Sequence, residues 1–589
     1  MLRLKFAPLF VSAVCLAVIL GGCGGAAPNG NLSGASFTLS ASSNVTIAPG
    51  GLGTSTITVV PANGFNGSVS FSVWSTLPSG VTSSFNPSSA TTSSTLTLTA
   101  SATAAPETVP VTIMGVSGTL SSSTTISLTV IKVGQIDHVV IIFQENRTPD
   151  NLFQGLCTFT GSPGCDPTGT NPAQYDIAQK GQTSTGQTVT LTPTSDGLVT
   201  TYDLGHSHAA FLKACDYDPS TDTCAMDGAD LDSCGPTGCP TYPEYQYVQS
   251  SYVQPYLTMA ETYTFGDRMF QTNQGPSFPA HQYILSGTSR IEETSTTTIA
   301  DNPSDNARTD GTYWAGCLAP PGAQINAVDL SQPFPQSPFV ITQLCFEHPT
   351  LTDLLDNATP PISWKYYAAL PGDIWTAPNA IQHMCVPSPA YPSETSECTG
   401  SDWVNHVVIE GSGAQIITDI TAGQLSAVSW VIPNGANSDH ASGNSGGGPS
   451  WVASIVNAIG QSEYWADTTI IVTWDDWGGW YDHEPPPAIR DSYEYGLRVP
   501  LIVISPYAKP AYPSHQHNDF GSILRFIEEV FSLQQIDPSV GYADSYALGD
   551  LSDCFNFGQT PLVFTPILAP MDAEHFLNDK SPPTPPDND

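Results

Sequence analysis

The chain of 589 residues is short of positive charge. It carries 15 Lys and Arg against 53 Asp and Glu, a formal net charge of −38. Such a surface repels nucleic-acid phosphates and anionic lipid headgroups, which excludes DNA or RNA capture by charge. Any anion site must then carry its own local positive centre, and a metal ion is one way to supply it. Charge of either sign is scarce, at 12% of residues, while the 40% apolar and 10% aromatic content is that of a globular chain. After residue 20 there is no apolar run long enough to span a bilayer. Cysteine is missing from residues 24–156, so nothing there can be stapled. The eleven cysteines from Cys157 to Cys554 do not have the spacing of a zinc-binding array.

The amino terminus sets the compartment. Arg3 and Lys5 precede an apolar stretch over residues 9–20, which ends in Leu20-Gly21-Gly22-Cys23. A basic start, a short apolar segment and a small-residue junction are the layout of an export signal, too short for a membrane span. The junction resembles a bacterial lipoprotein box, which implies lipidation of Cys23 and loss of residues 1–22. The chain is therefore expected to be exported and lipid-anchored, periplasmic or on the cell surface. Export implies oxidising conditions. Close neighbours such as Cys157 and Cys165, Cys215 and Cys224, Cys234 and Cys239, and Cys385 and Cys398 point to short-range disulfides in long loops. An odd count of eleven leaves one thiol free.

Composition divides the rest. Residues 24–35 form a Gly/Ala/Asn tether. Residues 36–133 are rich in Ser and Thr and nearly uncharged, with alternating apolar runs at 37–40, 54–60, 69–73, 95–100, 109–113 and 126–130. That pattern is expected of a small all-β, immunoglobulin-like sandwich acting as a spacer. Residues 134–570 alternate buried-strand and helix patterns, which predicts an α/β domain with a mostly parallel sheet. The expected strands include 137–143 and 498–506, and the expected helices 451–459 and 522–531. The Pro-rich end, 571–589, is expected to be a disordered tail.

The stretch 468–487 carries the chemistry. A β-branched apolar strand ends at once in Asp475 and Asp476, followed by a glycine pair, Asp482 and His483. Two carboxylates at the end of a buried strand are costly unless a cation meets them, and strand ends are where open α/β sheets hold ligands. An Asp-Asp pair alone reads equally well as a polar turn. The balance shifts because the strand at 137–143 delivers Glu145 and Asn146 in the same way. Three carboxylates and an amide oxygen suit a divalent ion such as Ca, Zn or Mg.

At this point the chain resembles a known family. Asp137-His138-Val139-Val140 through Glu145-Asn146-Arg147-Thr148-Pro149-Asp150 is similar to the opening motif of bacterial phosphoesterases. That family includes phospholipases C and acid phosphatases and is related to the alkaline phosphatase superfamily. Asp203-Leu204-Gly205-His206-Ser207, Met226-Asp227-Gly228, Gly275-Pro276-Ser277-Phe278-Pro279-Ala280-His281 and Ile362-Ser363-Trp364-Lys365-Tyr366-Tyr367 follow in the family's order. The resemblance spans residues 135–531 and implies an alkaline-phosphatase-like domain. It places the metal on Glu145, Asn146, Asp475 and Asp476, and the nucleophile on Ser277, with a phosphoserine intermediate. A histidine must protonate the leaving alkoxide: His206 and His440 lead, His383 and His483 follow, and His281 is placed to orient the nucleophile. Ser277-Phe278-Pro279-Ala280-His281 departs from the Thr-x-Pro-Asn-Arg of phospholipase C members, which leaves a small-ester phosphatase open. It also superficially resembles the sulfatase signature, with His in place of Arg, so a sulfate-ester hydrolase is the nearest alternative. A non-catalytic surface-binding lipoprotein is the alternative from another class. The expected substrate is a phosphate ester, with a phospholipid among the candidates.

Overall fold

The computed structural model describes residues 34–586, apart from 42–44, 48–51, 102–103, 105–106, 131–135, 196, 222, 233, 235–238, 305–306, 310–311 and 488–492. Cys23 and the expected export signal lie outside the described residues. Among the described residues, no helix is long and apolar enough to cross a membrane.

The amino-terminal part folds into two sheets, one of four strands and one of five, whose pairing is mostly antiparallel. Alternation along the strands sends one set of side chains inward. Ile57, Leu96 and Leu98 of the first sheet meet Val111, Ile113 and Leu128 of the second in a common core. All six expected runs lie in strands. Val81–Asn86 is a further strand that the pattern did not signal, because most of its side chains face solvent and are polar.

A second, larger core belongs to the α/β part. Its sheet contains β1 His138–Gln144, β2 Thr264–Phe270, β3 Trp364–Ala368, β4 Val407–Ile409, β5 Val428–Val431, β6 Thr468–Trp474, β7 Arg498–Ile504, β8 Tyr512–Ser514 and β9 Asn518–Asp519. The strand order is β4-β3-β5-β1-β6-β7-β2-β8, with β9 beside β2. The five strands from β4 to β6 run parallel, whereas β7 runs antiparallel to both β6 and β2. The sheet is mixed, with its parallel half around β1.

Helices cover both faces, so β1 and β6 are near-continuous apolar runs rather than alternating ones. The helices used below are α1 Gln254–Thr262, α2 Ser277–Ser286, α3 Gly448–Gly460, α4 Phe520–Phe531 and α5 Ala573–Asn578. Phe143 on β1 packs edge-on against Phe520 of α4 and His281 of α2. Trp474 on β6 packs against Tyr256 of α1. Phe143 is in register with Thr473, so Trp474 points to the opposite face. In α3, Val452, Ile455, Val456 and Ile459 are fully buried, as their spacing predicts.

Of the expected tail, residues 571–586 are described and 587–589 lie outside the described residues. Residues 573–578 form α5, which is capped by Asp572 and buries Phe576. Proline content signalled a disordered tail, but Phe576 and the contact with α3 anchor the segment instead.

Five disulfides join Cys157–Cys165, Cys215–Cys224, Cys234–Cys239, Cys317–Cys345 and Cys385–Cys398. Cys554 is free and buried, and burial pushes its thiol up to about 12. A non-reducing peptide map should return these five pairs. Cys554 should alkylate only after unfolding; rapid labelling of the native chain would contradict this packing.

Candidate active site

β1 and β6 are neighbours in register, Gln144 opposite Trp474, so the residues after each strand emerge side by side. The backbone of one turn holds the other. Asp475 N–H donates to Gln144 O at 2.9 Å, and Arg147 N–H donates to Asp476 O at 2.9 Å. Asn146 sits at φ 62°, a left-handed conformation that asparagine tolerates better than most residues. There its own N–H donates to Asp475 Oδ1 at 2.9 Å. Gly478, at φ 61°, completes the second turn; a Cβ on it would lie 2.4 Å from Asn146 O.

The four residues expected to hold a metal are thereby brought together and are fully buried. Ser277 is the first residue of α2, and its Oγ donates to Glu145 Oε2 and Asp476 Oδ2, each at 3.4 Å. Burial, then the charges of Asp475 and Asp476, push the Glu145 carboxyl well above its usual range. Burial, then Asp475, do the same to Asp476. Asp475 Oδ2 and Asn146 Oδ1 are buried without hydrogen-bond partners. Among the described residues, neither Lys nor Arg forms an ion pair with the three carboxylates; Glu145 has only His281, at 3.2 Å. Burying several like charges without compensation costs several kcal/mol per ion. Oxygen donors with two unpaired atoms and no protein cation fit a hard or borderline divalent ion.

The histidines separate into distinct environments. His206 makes a ring contact with Leu204 O at 2.8 Å through Nδ1, which as N–H donates there and leaves Nε2 to accept from Asn146 Nδ2 at 3.1 Å. His440 lies 5.8 Å from His206 between ring centroids, with Nδ1 3.5 Å from Asp203 Oδ2. His206 therefore touches the cluster through Asn146, and His440 stands behind it. His281 is one helical turn after Ser277, but it meets Glu145 rather than the serine. Burial lowers it to about 4, so it is neutral and its Nε2–H orients the carboxylate.

His383 and His483 are elsewhere engaged. His383 pairs with Glu347 at 2.8 Å at the surface. His483 places Nδ1 2.8 Å from Asp150 Oδ2 and Nε2 3.0 Å from Asp176 Oδ1. Burial alone would lower it, but Asp150 and Asp176 raise it to about 10. The groups Asp150–Asp482–His483 and Asp176–His483–Glu484 are also tight enough to hold an ion. They already have their cations, because Arg498 binds Asp482 through Nε at 2.7 Å and Arg268 binds Asp176 at 3.0 Å.

Several supporting residues were not recognised in the sequence. Gln144 donates to Asn437 O at 3.2 Å and accepts from Asp439 N–H at 3.0 Å, gripping the loop that carries His440. Arg147 donates to Asp439 O at 2.8 Å and stacks over Trp480. Asp373, pushed up to about 7 by burial, adds a fourth acidic group whose charge reaches Glu145. A buried acid in a loop between elements has no sequence signature; Gln144 was legible only as the last residue of a strand.

A model of the phosphoesterase family matches residues 136–534. The chain belongs to the phosphoesterase family. Among curated relatives, a non-hemolytic phospholipase C of Pseudomonas aeruginosa is 28% identical over 174 residues, covering 24% of each chain. Phospholipase C A of Mycobacterium tuberculosis is 29% identical over 167 residues, covering 24% of this chain and 32% of its own. The matches thus span only a quarter to a third of those relatives. A surface-layer protein, SbsC domains 4 and 5, aligns at 23% identity over 17% of this chain and 54% of that chain, with a TM-score of 0.14.

The pH dependence of stability follows from the charged network of this phosphoesterase. The pKa of His483 rises on folding from its ordinary value of 6.5 to about 10. Its contribution is complete below about 6.5 and is lost as pH climbs through 10. The gap in Tm between wild type and His483→Gln should be wider at pH 6 than at pH 10. An equal gap at both would remove the imidazolium.

Proposed function

We propose that the chain is a metal-dependent hydrolase of phosphate esters, of the phospholipase C or acid phosphatase kind, acting through a phosphoserine on Ser277. The observation that carries this reading is that the Ser277 hydroxyl meets Glu145 and Asp476 within a buried cluster that Asn146 and Asp475 complete. The family favours a phosphate ester as substrate, and the similarity to phospholipases C favours a phospholipid.

Glu145, Asn146, Asp475 and Asp476 would hold the ion. When bound, it would offset the buried carboxylates, lower the pKa of the serine hydroxyl and screen the phosphoryl oxygens. Ser277 Oγ attacks phosphorus, and its proton leaves toward the carboxylate oxygens 3.4 Å away. The start of α2 favours the incoming anion through its dipole. As the bond to the alcohol breaks, the leaving oxygen takes the pair of electrons, and His440, beside the cavity, supplies a proton. His206 fixes the Asn146 amide, and its counterpart across the cluster is His281, which fixes Glu145. Water then attacks the phosphoserine and releases phosphate or a phosphomonoester.

The remaining organisation belongs to the same proposal. Residues 1–23 serve as a lipoprotein signal that anchors Cys23 to the bacterial membrane. Residues 24–35 act as a tether, 36–133 as an immunoglobulin-like spacer, and 134–570 as the catalytic domain.

The test is turnover of p-nitrophenyl phosphate, p-nitrophenyl phosphorylcholine and p-nitrophenyl sulfate with added divalent ions. A phosphate ester should be cleaved in preference to the sulfate, and Ser277→Ala should lower kcat by more than about 10³-fold. No turnover with any divalent ion from acid to alkaline pH, or an active Ser277→Ala, would overturn the reading.

A further inference from the structure

The segment after α5 turns back across the loop that carries His440. Gly435 N–H donates to Thr584 O at 2.9 Å, and Pro586 is buried. Pro585 and Pro586 line a cavity of about 200 Å³ together with Trp375, Gly435, His440 and Ser442. The site therefore has a wall contributed by a segment more than 140 residues downstream of His440. Ligand pockets commonly fall between about 300 and 1,000 Å³, so this one is small. Trp375 is 1% exposed, and its indole N–H has no hydrogen-bond partner. An unpaired buried donor beside a cavity is costly unless a ligand meets it. Trp375 also stands between His281 and His440, its ring 6.4 Å from each.

We propose that residues 582–586 are a size filter on the ester: they close the pocket beside His440, so that only a small polar group is seated there, with the Trp375 indole N–H donating to it. The filter rests on the phosphate-ester reading above and adds the size class of the substrate. A long or branched group needs the prolines to lift away. Among the described residues, the Gly435–Thr584 backbone hydrogen bond ties the segment to that loop, and α5 holds its base.

Gly435 offers a local handle. A Cβ on it would meet Pro585 O at 2.6 Å and Thr584 Cγ2 at 3.1 Å, and its nearest neighbours are all from this segment. Gly435→Ala should therefore dislodge the prolines. The experiment compares kcat/KM for a compact and a bulky substrate of whichever ester class the wild type cleaves. p-Nitrophenyl phosphate and naphthol-AS phosphate serve for monoesters, and p-nitrophenyl phosphorylcholine and dioleoylphosphatidylcholine in mixed micelles for diesters. Ending the chain after Lys580 retains α5. This truncation should raise the bulky-to-compact ratio at least tenfold, Gly435→Ala should move it the same way, and Gly435→Ala should add nothing in the truncated chain. A ratio unmoved by both variants overturns the filter while leaving the hydrolase intact. Equal gains on both substrates overturn it as well, because a plain plug does not select by size. A shift from Gly435→Ala that persists without the segment also overturns it. A wild type that cleaves no phosphate ester overturns both readings.

Discussion

Three buried carboxylates meet with no ion pair to a lysine or arginine among the described residues. Glu145, Asp475 and Asp476 are each fully buried, and Glu145 and Asp476 are pushed toward protonation by burial and by one another. A fold does not keep such a set by chance, since replacing it with apolar residues would relieve the penalty. The orphaned oxygens of Asn146 and Asp475 point to the same missing charge. Much of the surrounding structure can be understood as the means of holding those groups against their repulsion.

The sheet does the first part. β1 and β6 are paired in register, so their last residues are neighbours before any side chain acts. Backbone hydrogen bonds between the two turns then fix the carboxylates, and α2 starts where its first residue reaches them. The second part is a set of clamps. Gln144 and Arg147, flanking Glu145 and Asn146, reach across to the 437–440 loop, so the same strand end that offers the acids also sets His440. Behind it, Arg498, Arg268 and His483 neutralise Asp150, Asp176 and Asp482. Acids with cations in one cluster, and acids without them in the next, distinguish a structural network from a site built for a ligand.

Much of this was legible because strand periodicity and strand-end chemistry are local. The runs at 137–143 and 468–474 and the acids after them could be read directly, and their adjacency follows from the parallel order of the sheet. One turn of helix puts His281 on the face of Ser277, but only the tertiary structure shows that its Nε2 meets Glu145, which also takes the serine hydroxyl. His483 was drawn to the site by sequence proximity to Asp476, whereas Asp150 and Asp176 arrive from far upstream and claim both its nitrogens. Asp373, Trp375 and the carboxyl-terminal prolines lie in loops or low-complexity sequence, where position is set by long-range contacts that composition does not encode. Proline enrichment signals disorder by composition, whereas within 573–578 a buried Phe576 and a helix cap hold a helix.

The decisive quantity is the metal content of the purified chain. After exposure to divalent ions and desalting, elemental analysis should return about one ion per chain for the wild type and a large loss for Asp475→Asn of the same folded state. A wild type without any ion, or an Asp475→Asn chain that binds as much as the wild type, would contradict the central claim that these carboxylates are held together for a cation.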